Sequence, residues 1–378
     1  MSAQVREQFP ILEHGLYLNH AAIAPWPKCA AAAVHEFSSE NVRGGPDGYR
    51  DWIARENLLR RNLASLIGAS SKDDIALLKN TTEGISLVAW GMDWNAGDNI
   101  VLPQDEFPSN RLPWLAQSAL GVEIREVDIR TAEDAESSLI GAMDDRTRLL
   151  SVSGVQWNDG FRLDLGKLGE ACHAKDVLFF VDAIQQLGAL PLDVEACHID
   201  FLAADAHKWL LGPEGIAIFY CRESARPGLR LLQQGWHMYD NPWNFHRSEG
   251  RPAKSARRFE AGSPNSLGQA AFHASLGLLL DTGMEQVSGR ILLNTEFLIQ
   301  ALREIPGVQI TSRTEPERLS GIVSFKHEDT PSGKLNRRLS EAGVTCAVRG
   351  ESIRLSPHFY QDEIYLSEFI QVLEKVSG

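Results

Sequence analysis

The sequence predicts an α/β fold, a mainly parallel mixed sheet flanked by helices, followed by a smaller C-terminal α/β domain. Three observations predict it. Apolar runs of strand length end in turn residues at 99–102, 148–153, 177–183 and 201–204, the pattern of strands covered on both faces. Residues 163–175, between two of those runs, have the length of a crossover helix. With 378 residues and 43% hydrophobic content, the chain can fill one large core and one smaller one. The expected organisation is an N-terminal arm over 1–20, a large domain over 21–266 and a small domain over 267–378.

Composition narrows the partners. Lys and Arg number 37 against 50 Asp and Glu, a formal net charge of −13, which disfavours nucleic acid. No apolar run is long enough to span a bilayer, and the first residues lack the hydrophobic stretch of a signal peptide. The five cysteines (Cys29, Cys172, Cys197, Cys221, Cys346) are odd in number, widely spread and form no C-x-x-C. Neither a disulfide framework nor a metal site is expected from them. The expectation is a cytoplasmic protein with no nucleic-acid or membrane partner.

Taken in order, the arm leads to a loop at 17–25 that Pro25 and Pro27 keep irregular. Helices are expected at 30–41 and at 50–67, the second carrying Ile53, Leu58, Leu59, Leu63, Leu66 and Ile67 near helical spacing before Gly68. A strand from 75 runs into the turn Lys79-Asn80-Thr81-Thr82-Glu83 and then a helix, with Thr81 or Thr82 as its cap. Such a helix start offers free N–H groups and positive dipole to a phosphate. Strands follow at 99–102, 122–129 and 148–153, then the crossover helix, then strand 177–183 carrying Asp182. After 201–204 comes Lys208, and after the Gly212-Pro213 turn a strand at 215–221 that reads as antiparallel. Residues 241–254, rich in charge, Asn and Pro, are expected to order on substrate binding. A long helical stretch over 267–304 leads into strands at 307–312, 321–326, 344–348 and 353–356 and helices at 332–342 and 363–376.

Asp182 and Lys208 carry the chemistry. Asp182 ends a buried-strand run, where open α/β sheets bind ligands. Lys208 sits in an apolar setting, and a lysine of lowered pKa can hold an aldehyde as a Schiff base. A pyridinium cofactor needs both, the amine for its aldehyde and the acid for its ring nitrogen. Singly, each has a plainer reading: an Asp capping a turn, a Lys extending along a surface. A nucleotide-dependent oxidoreductase is a poor fit, because no G-x-G-x-x-G follows a strand and opens a helix.

The run Val181-Asp182-Ala183-Ile184-Gln185, followed by Ala206-His207-Lys208-Trp209-Leu210-Leu211-Gly212-Pro213-Glu214-Gly215, resembles the class V aminotransferases. These are fold-type I pyridoxal-phosphate (PLP) enzymes that include cysteine desulfurases, kynureninases and isopenicillin N epimerase. The likeness extends from Tyr17-Leu18-Asn19-His20-Ala21-Ala22 to Arg354-Leu355-Ser356-Pro357-His358-Phe359-Tyr360. The resemblance implies a fold-type I PLP-dependent transferase with Lys208 as the catalytic lysine and Asp182 on the ring nitrogen. It implies Thr81, Thr82 and His207 at the phosphate, Phe107 stacked on the ring, and Gln185 with Asn158 or Gln156 at the phenolic oxygen. It implies Asn19 and His20 as substrate contacts, and Arg354 as the partner of the substrate carboxylate, with Arg349 a lesser candidate. Trp236 and Ser263 match segments that family dimers direct to the neighbouring subunit, which implies a homodimer with shared sites. Asp205 departs from the cysteine desulfurases, which carry a phosphate-donating serine there, and an ionised carboxylate has no proton to donate.

The expected reaction is PLP-dependent chemistry at the α-carbon of an amino acid, an aminotransferase first, with an epimerase or a C–S or β-elimination lyase as alternatives. A cysteine desulfurase fits less well. Only Gly350, Glu351, Ser352 and Ile353 lie between Arg349 and Arg354, leaving no room for that enzyme's cysteine loop, and Cys346 reads as buried packing. A non-catalytic protein of the same fold is disfavoured by the complete set of site residues.

Overall fold

The computed structural model describes residues 3–246 and 250–377, so part of the 241–254 segment lies outside the described residues. The strands in chain order are β1 (Leu16–Tyr17), β2 (Ile75–Leu78), β3 (Asn99–Pro103), β4 (Glu123–Val127), β5 (Thr147–Ser153), β6 (Leu178–Asp182), β7 (Phe201–Asp205), β8 (Ala217–Cys221), β9 (Val308–Ile310), β10 (Val323–His327), β11 (Val344–Thr345), β12 (Ala347–Arg349) and β13 (Ser352–Leu355). Seven of them form the main sheet in the order β2-β8-β7-β6-β5-β3-β4. Only β8 opposes the rest, pairing antiparallel with both β2 and β7, as the Gly212-Pro213 turn predicts.

The apolar runs do what unbroken runs must in such a sheet. On β6, Phe179 and Val181 enter one core while Phe180 enters the other; on β7, Leu202 and Ala204 face the first and Phe201 and Ala203 the second. The first core is roofed by helices Tyr49–Leu66, Leu165–Ala174 and Ser266–Thr282 through Leu59, Leu63, Leu168, Phe272 and Leu276. The second is roofed by helix Thr81–Gly91 through Ile85 and Val88, with Trp114 beside it. Gly84 lets that helix lie close on the sheet, since a Cβ there would stand 3.0 Å from the Ala203 Cβ and 3.1 Å from the Phe219 ring. The helix start is thereby held at the carboxyl edge of β7.

A second sheet, β12-β13-β10-β9, is antiparallel throughout and has its own core, including Leu335, Leu339, Ile353, Leu355 and Phe369. The N-terminal arm joins this unit. β1 pairs parallel with β11, and Leu18 is buried in the small-sheet core. The strand expected over 344–348 is two strands, β11 and β12, interrupted at Cys346. The expected 267–304 helix is likewise two, Ser266–Thr282 and Met284–Arg303, parted at Gly283, whose φ of +87° is left-handed. The first of these packs on helices Lys28–Gly44 and Tyr49–Leu66, and the second supplies Leu298, Ile299 and Leu302 to the small core. We therefore propose that the domains divide at Gly283 rather than at 266/267. Among the described residues, no helix is long and apolar enough to cross a membrane.

Candidate active site

A cavity of about 250 Å³ opens at the carboxyl edge of the sheet, where β6 ends in Asp182 and β7 in Asp205. Of the residues singled out from sequence, Thr81, Phe107, Asp182, Gln185, His207, Lys208 and Arg354 line it. They come from five segments. The sheet places the two aspartates, the Thr81–Gly91 helix brings its first residue, and β13 reaches over from the small domain with Arg354.

Burial pushes Asp182 up to about 7, and the neighbouring buried Glu106 adds to this while Lys208 opposes it. The Ile184 N–H donates to Asp182 Oδ1 at 3.0 Å and fixes the carboxylate. Burial lowers Lys208 to about 8, against the pull of Asp182. Its Nζ lies 5.8 Å from the centre of the Phe107 ring, so amine and ring share the cavity. Gln185 is clamped: its Nε2 donates to Ala21 O at 3.0 Å, and its Oε1 accepts the Trp209 indole N–H at 3.0 Å. Burial lowers His207 to about 4, so at neutral pH it is an uncharged ring.

Two further polar side chains on the cavity wall are deeply buried. Thr81 is 2% exposed, its hydroxyl facing Asp205. Arg354 is 1% exposed; its Nη1 donates to Trp157 O at 2.5 Å, while Nε and Nη2 have no partner. No carboxylate among the described residues answers this guanidinium, and burial with the nearby Arg349 lowers it to about 9. A buried, unpaired guanidinium is costly unless a ligand anion completes it.

Several expectations are corrected. Asn80, not Thr81 or Thr82, caps the helix, accepting the Glu83 N–H at 2.8 Å. Thr82 is exposed and donates to Ser109 Oγ at 2.8 Å outside the cavity wall. His20 is wholly buried away from the cavity, with Nδ1 2.7 Å from Ser356 O and Nε2 2.5 Å from the Tyr360 hydroxyl. It joins the arm to the small domain and has no ring nitrogen left for a substrate. Asn19 also lies off the cavity wall, its Oδ1 buried and unpartnered. Asn158 turns its Oδ1 to the Asp159 N–H and lines a neighbouring cavity instead, and Gln156 is held by Glu106. Trp236 and Ser263, expected at a partner subunit's site, are not corrected: they line a separate cavity of about 560 Å³. The turn bearing Ser263 is anchored by Glu260, which pairs with Arg60 at 2.6 Å and accepts the Leu77 N–H at 2.8 Å. Glu56, His237 and Glu260 stand close enough for a metal, but Arg60 bonds both carboxylates and fills that role.

Sequence reasoning missed Ser109, Trp157 and Glu106. Ser109 and Trp157 line the cavity. Glu106 lies behind Asp182, accepting from Ser153 N at 2.6 Å, Ser153 Oγ at 2.5 Å and Gln156 Nε2 at 3.1 Å. Its place beside Phe107 was the available signal. A carboxylate next to a cavity aromatic, in a run otherwise turning to solvent, needs buried partners.

The donor set fits PLP. Asp182 offers an acid for a ring nitrogen, Lys208 an amine for an aldehyde, and the Thr81–Gly91 helix start donors for a phosphate. Comparison with known proteins agrees. The family described as Aminotransferase class-V matches residues 16–359. A probable cysteine desulfurase from Methanothermobacter thermautotrophicus is 30% identical, covering 99% of this chain and 98% of its own. An uncharacterized aminotransferase from Bacillus subtilis, YcbU, is 27% identical, covering 94% and 93%. Among solved structures, a lysine-to-alanine mutant of C-DES with glycine covalently linked to the PLP cofactor superposes with a TM-score of 0.90 at 25% identity, covering 98% of both chains. The complex of the cystine C–S lyase C-DES with its reaction product cysteine persulfide superposes at 0.89 and 25%, covering 97% of this chain and 99% of that one. The chain thus belongs to the class-V aminotransferase family of PLP-dependent, fold-type I enzymes.

Proposed function

We propose that the protein is a PLP-dependent C–S lyase acting on L-amino acids that carry sulfur on the β-carbon, disulfide-linked substrates such as cystine above all. The observation that carries the reading is the buried guanidinium of Arg354 with two unanswered nitrogens on the wall that also bears Lys208. It provides for an α-carboxylate beside a base. When bound, PLP supplies the aldehyde for an amine and the electron sink for the electrons left at Cα. The protein does the rest. Arg354 holds the carboxylate, and Phe107 limits how the ring can lie. Lys208, held near neutrality by burial, takes the Cα proton on Nζ. The Cβ–S electron pair then leaves with sulfur. For cystine and one water, the balanced products are pyruvate, ammonia and cysteine persulfide.

Two features favour a lyase over a persulfide-forming desulfurase. No cysteine lines the cavity. Cys346 is set back in the small domain, its Sγ 3.2 Å from Asn336 Oδ1, and burial pushes its thiol up to about 12. β12 and β13 join tightly, with Arg349 opposite Ser352, so no loop can carry a thiol to the substrate. Beyond Trp157 and Arg349, which the two share, lies a second cavity of about 620 Å³ with charges of both signs, including Lys326 and Glu351. This gives room to the distal, zwitterionic half of a disulfide substrate. The likeness to C-DES supports the lyase, while the likeness to the Methanothermobacter probable cysteine desulfurase supports the desulfurase.

Trp236 and Ser263, away from this cavity, fit a dimer in which each chain extends toward its partner's cofactor. All five cysteines are free, in keeping with a cytoplasmic enzyme. The test is incubation of the PLP-loaded protein with cystine, followed by measurement of pyruvate and sulfane sulfur. Stoichiometric release of both supports the lyase. Amino transfer to an added 2-oxo acid without pyruvate formation from cystine means that an aminotransferase is the better reading.

A further inference from the structure

We infer that Asp205 holds the cofactor's phosphate as a neutral carboxylic acid, so that binding PLP takes up one proton. The inference rests on the cofactor and not on the C–S lyase reading.

The argument is geometric. Helix Thr81–Gly91 has 11 residues, and its first turn faces the cavity with Asn80 capping only the Glu83 N–H by its side chain. The Thr81 hydroxyl is buried there, facing the Asp205 carboxylate as its acceptor. A carboxylate already stands at this helix start. Asp205, the last residue of β7 and 9% exposed, accepts the Thr81 N–H on Oδ1 at 3.2 Å. A phosphate drawn to the same donors arrives against Asp205. An ionised Asp205 repels it across a site largely closed to water. A protonated Asp205 removes that repulsion and donates a hydrogen bond where an ionised one can only accept.

The surroundings let the proton be taken up. Burial already raises Asp205 to about 6, opposed by the Thr81 N–H, by Lys208 and by the Thr81 hydroxyl, and reinforced by Glu214. His207 Nδ1 lies 3.8 Å from Asp205 Oδ2, but His207 is itself uncharged at neutral pH and supplies no counter-charge. On neighbouring β6, Asp182 adds negative charge near by, and on β8 the residue opposite Asp205 is Ala217, which adds none. Among the described residues, the cation acting on Asp205 is Lys208. A phosphate dianion therefore raises Asp205 further. The sign follows. A group whose pKa is higher in the complex supports binding fully below its free value and loses that support as pH rises above it. PLP affinity should fall by up to tenfold per pH unit above about 6 on account of this group.

The test titrates cofactor-free protein with PLP and with pyridoxal, which lacks the phosphate, from pH 5.5 to 8.5, for the wild type and Asp205→Asn. Dissociation constants are read from tryptophan fluorescence. We expect Asp205→Asn to bind PLP up to about a hundredfold tighter than the wild type at pH 8 and about equally at pH 5.5. The ratio for pyridoxal should stay constant with pH. A PLP ratio that does not change with pH, or a pyridoxal ratio that changes in parallel, overturns the inference. If Asp205→Asn does not fold, calorimetry of the wild type at pH 7.5 in two buffers of different ionisation heat decides instead. About one more proton taken up with PLP than with pyridoxal supports it, and equal uptake overturns it.

Discussion

Replacing Arg354 by methionine should pull binding and stability in opposite directions. In the protein without substrate, the guanidinium is buried with Nε and Nη2 unpartnered among the described residues, and Nη1 donates to Trp157 O at 2.5 Å. Burial holds its pKa down at about 9, so keeping the charge costs a few kcal/mol. Methionine gives up the bond to Trp157, worth about 1 kcal/mol, and removes the buried charge. The net effect should be a gain of roughly 1–3 kcal/mol, seen as a rise of a few degrees in the thermal midpoint. The substrate carboxylate meanwhile loses two charge-assisted hydrogen bonds of about 1.5–3 kcal/mol each, so KM should rise by roughly 10²–10⁴. The assay pairs thermal unfolding without substrate with pyruvate release from cystine. A variant less stable than the wild type, with KM unchanged, would refute the assignment. It would mean that Arg354 is a structural cation with partners inside the protein.

Four further outcomes follow from the same geometry. Lys208→Ala should abolish pyruvate release and the visible absorbance of the lysine-linked cofactor; absorbance that survives would place the cofactor on another amine. Cys346→Ser should keep activity within about twofold, because the thiol is raised to about 12 and lies away from the cavity, whereas a large loss would restore the desulfurase reading. The rate of pyridoxal capture should rise with pH and level off above about 8, since only the neutral amine of Lys208 attacks an aldehyde; a flat profile from pH 6 to 9 would contradict this. Finally, stability should fall as pH drops from 6.5 towards 4. Burial lowers His20 to about 4 and His358 well below its usual range, so the unfolded chain binds protons that the folded one refuses. His20→Phe should make that fall shallower by up to about 3 kcal/mol at pH 4, whatever its effect at pH 8, and an unchanged slope would count against the burial argument.

Much of the fold was legible because period and punctuation are local. The fully apolar runs of β6 and β7 specify strands covered on both faces, and the Gly212-Pro213 turn forecasts the reversal into β8. The breaks were not legible. Apolar spacing continues across Gly283 and across Cys346, and only the left-handed φ at Gly283 and the separate pairing of β11 with β1 end the elements there. The cap at Asn80 was hidden among three adjacent residues able to cap, and the geometry of Glu83 chose one.

What the sequence by itself determined is the chemistry of the centre. Asp182 ends a buried strand and Lys208 follows the next one, and a parallel sheet has no choice but to bring two such strand ends together. What only the tertiary structure decided is which distant groups meet that centre and which do not. Arg354 touches Trp157 across 197 residues and finds no carboxylate, His20 is spent on Ser356 and Tyr360, and Asn158 faces another cavity. No spacing in the sequence encodes these contacts. They depend on how the small domain and the arm dock on the large sheet, and docking is set by the sum of many packed side chains rather than by any single motif.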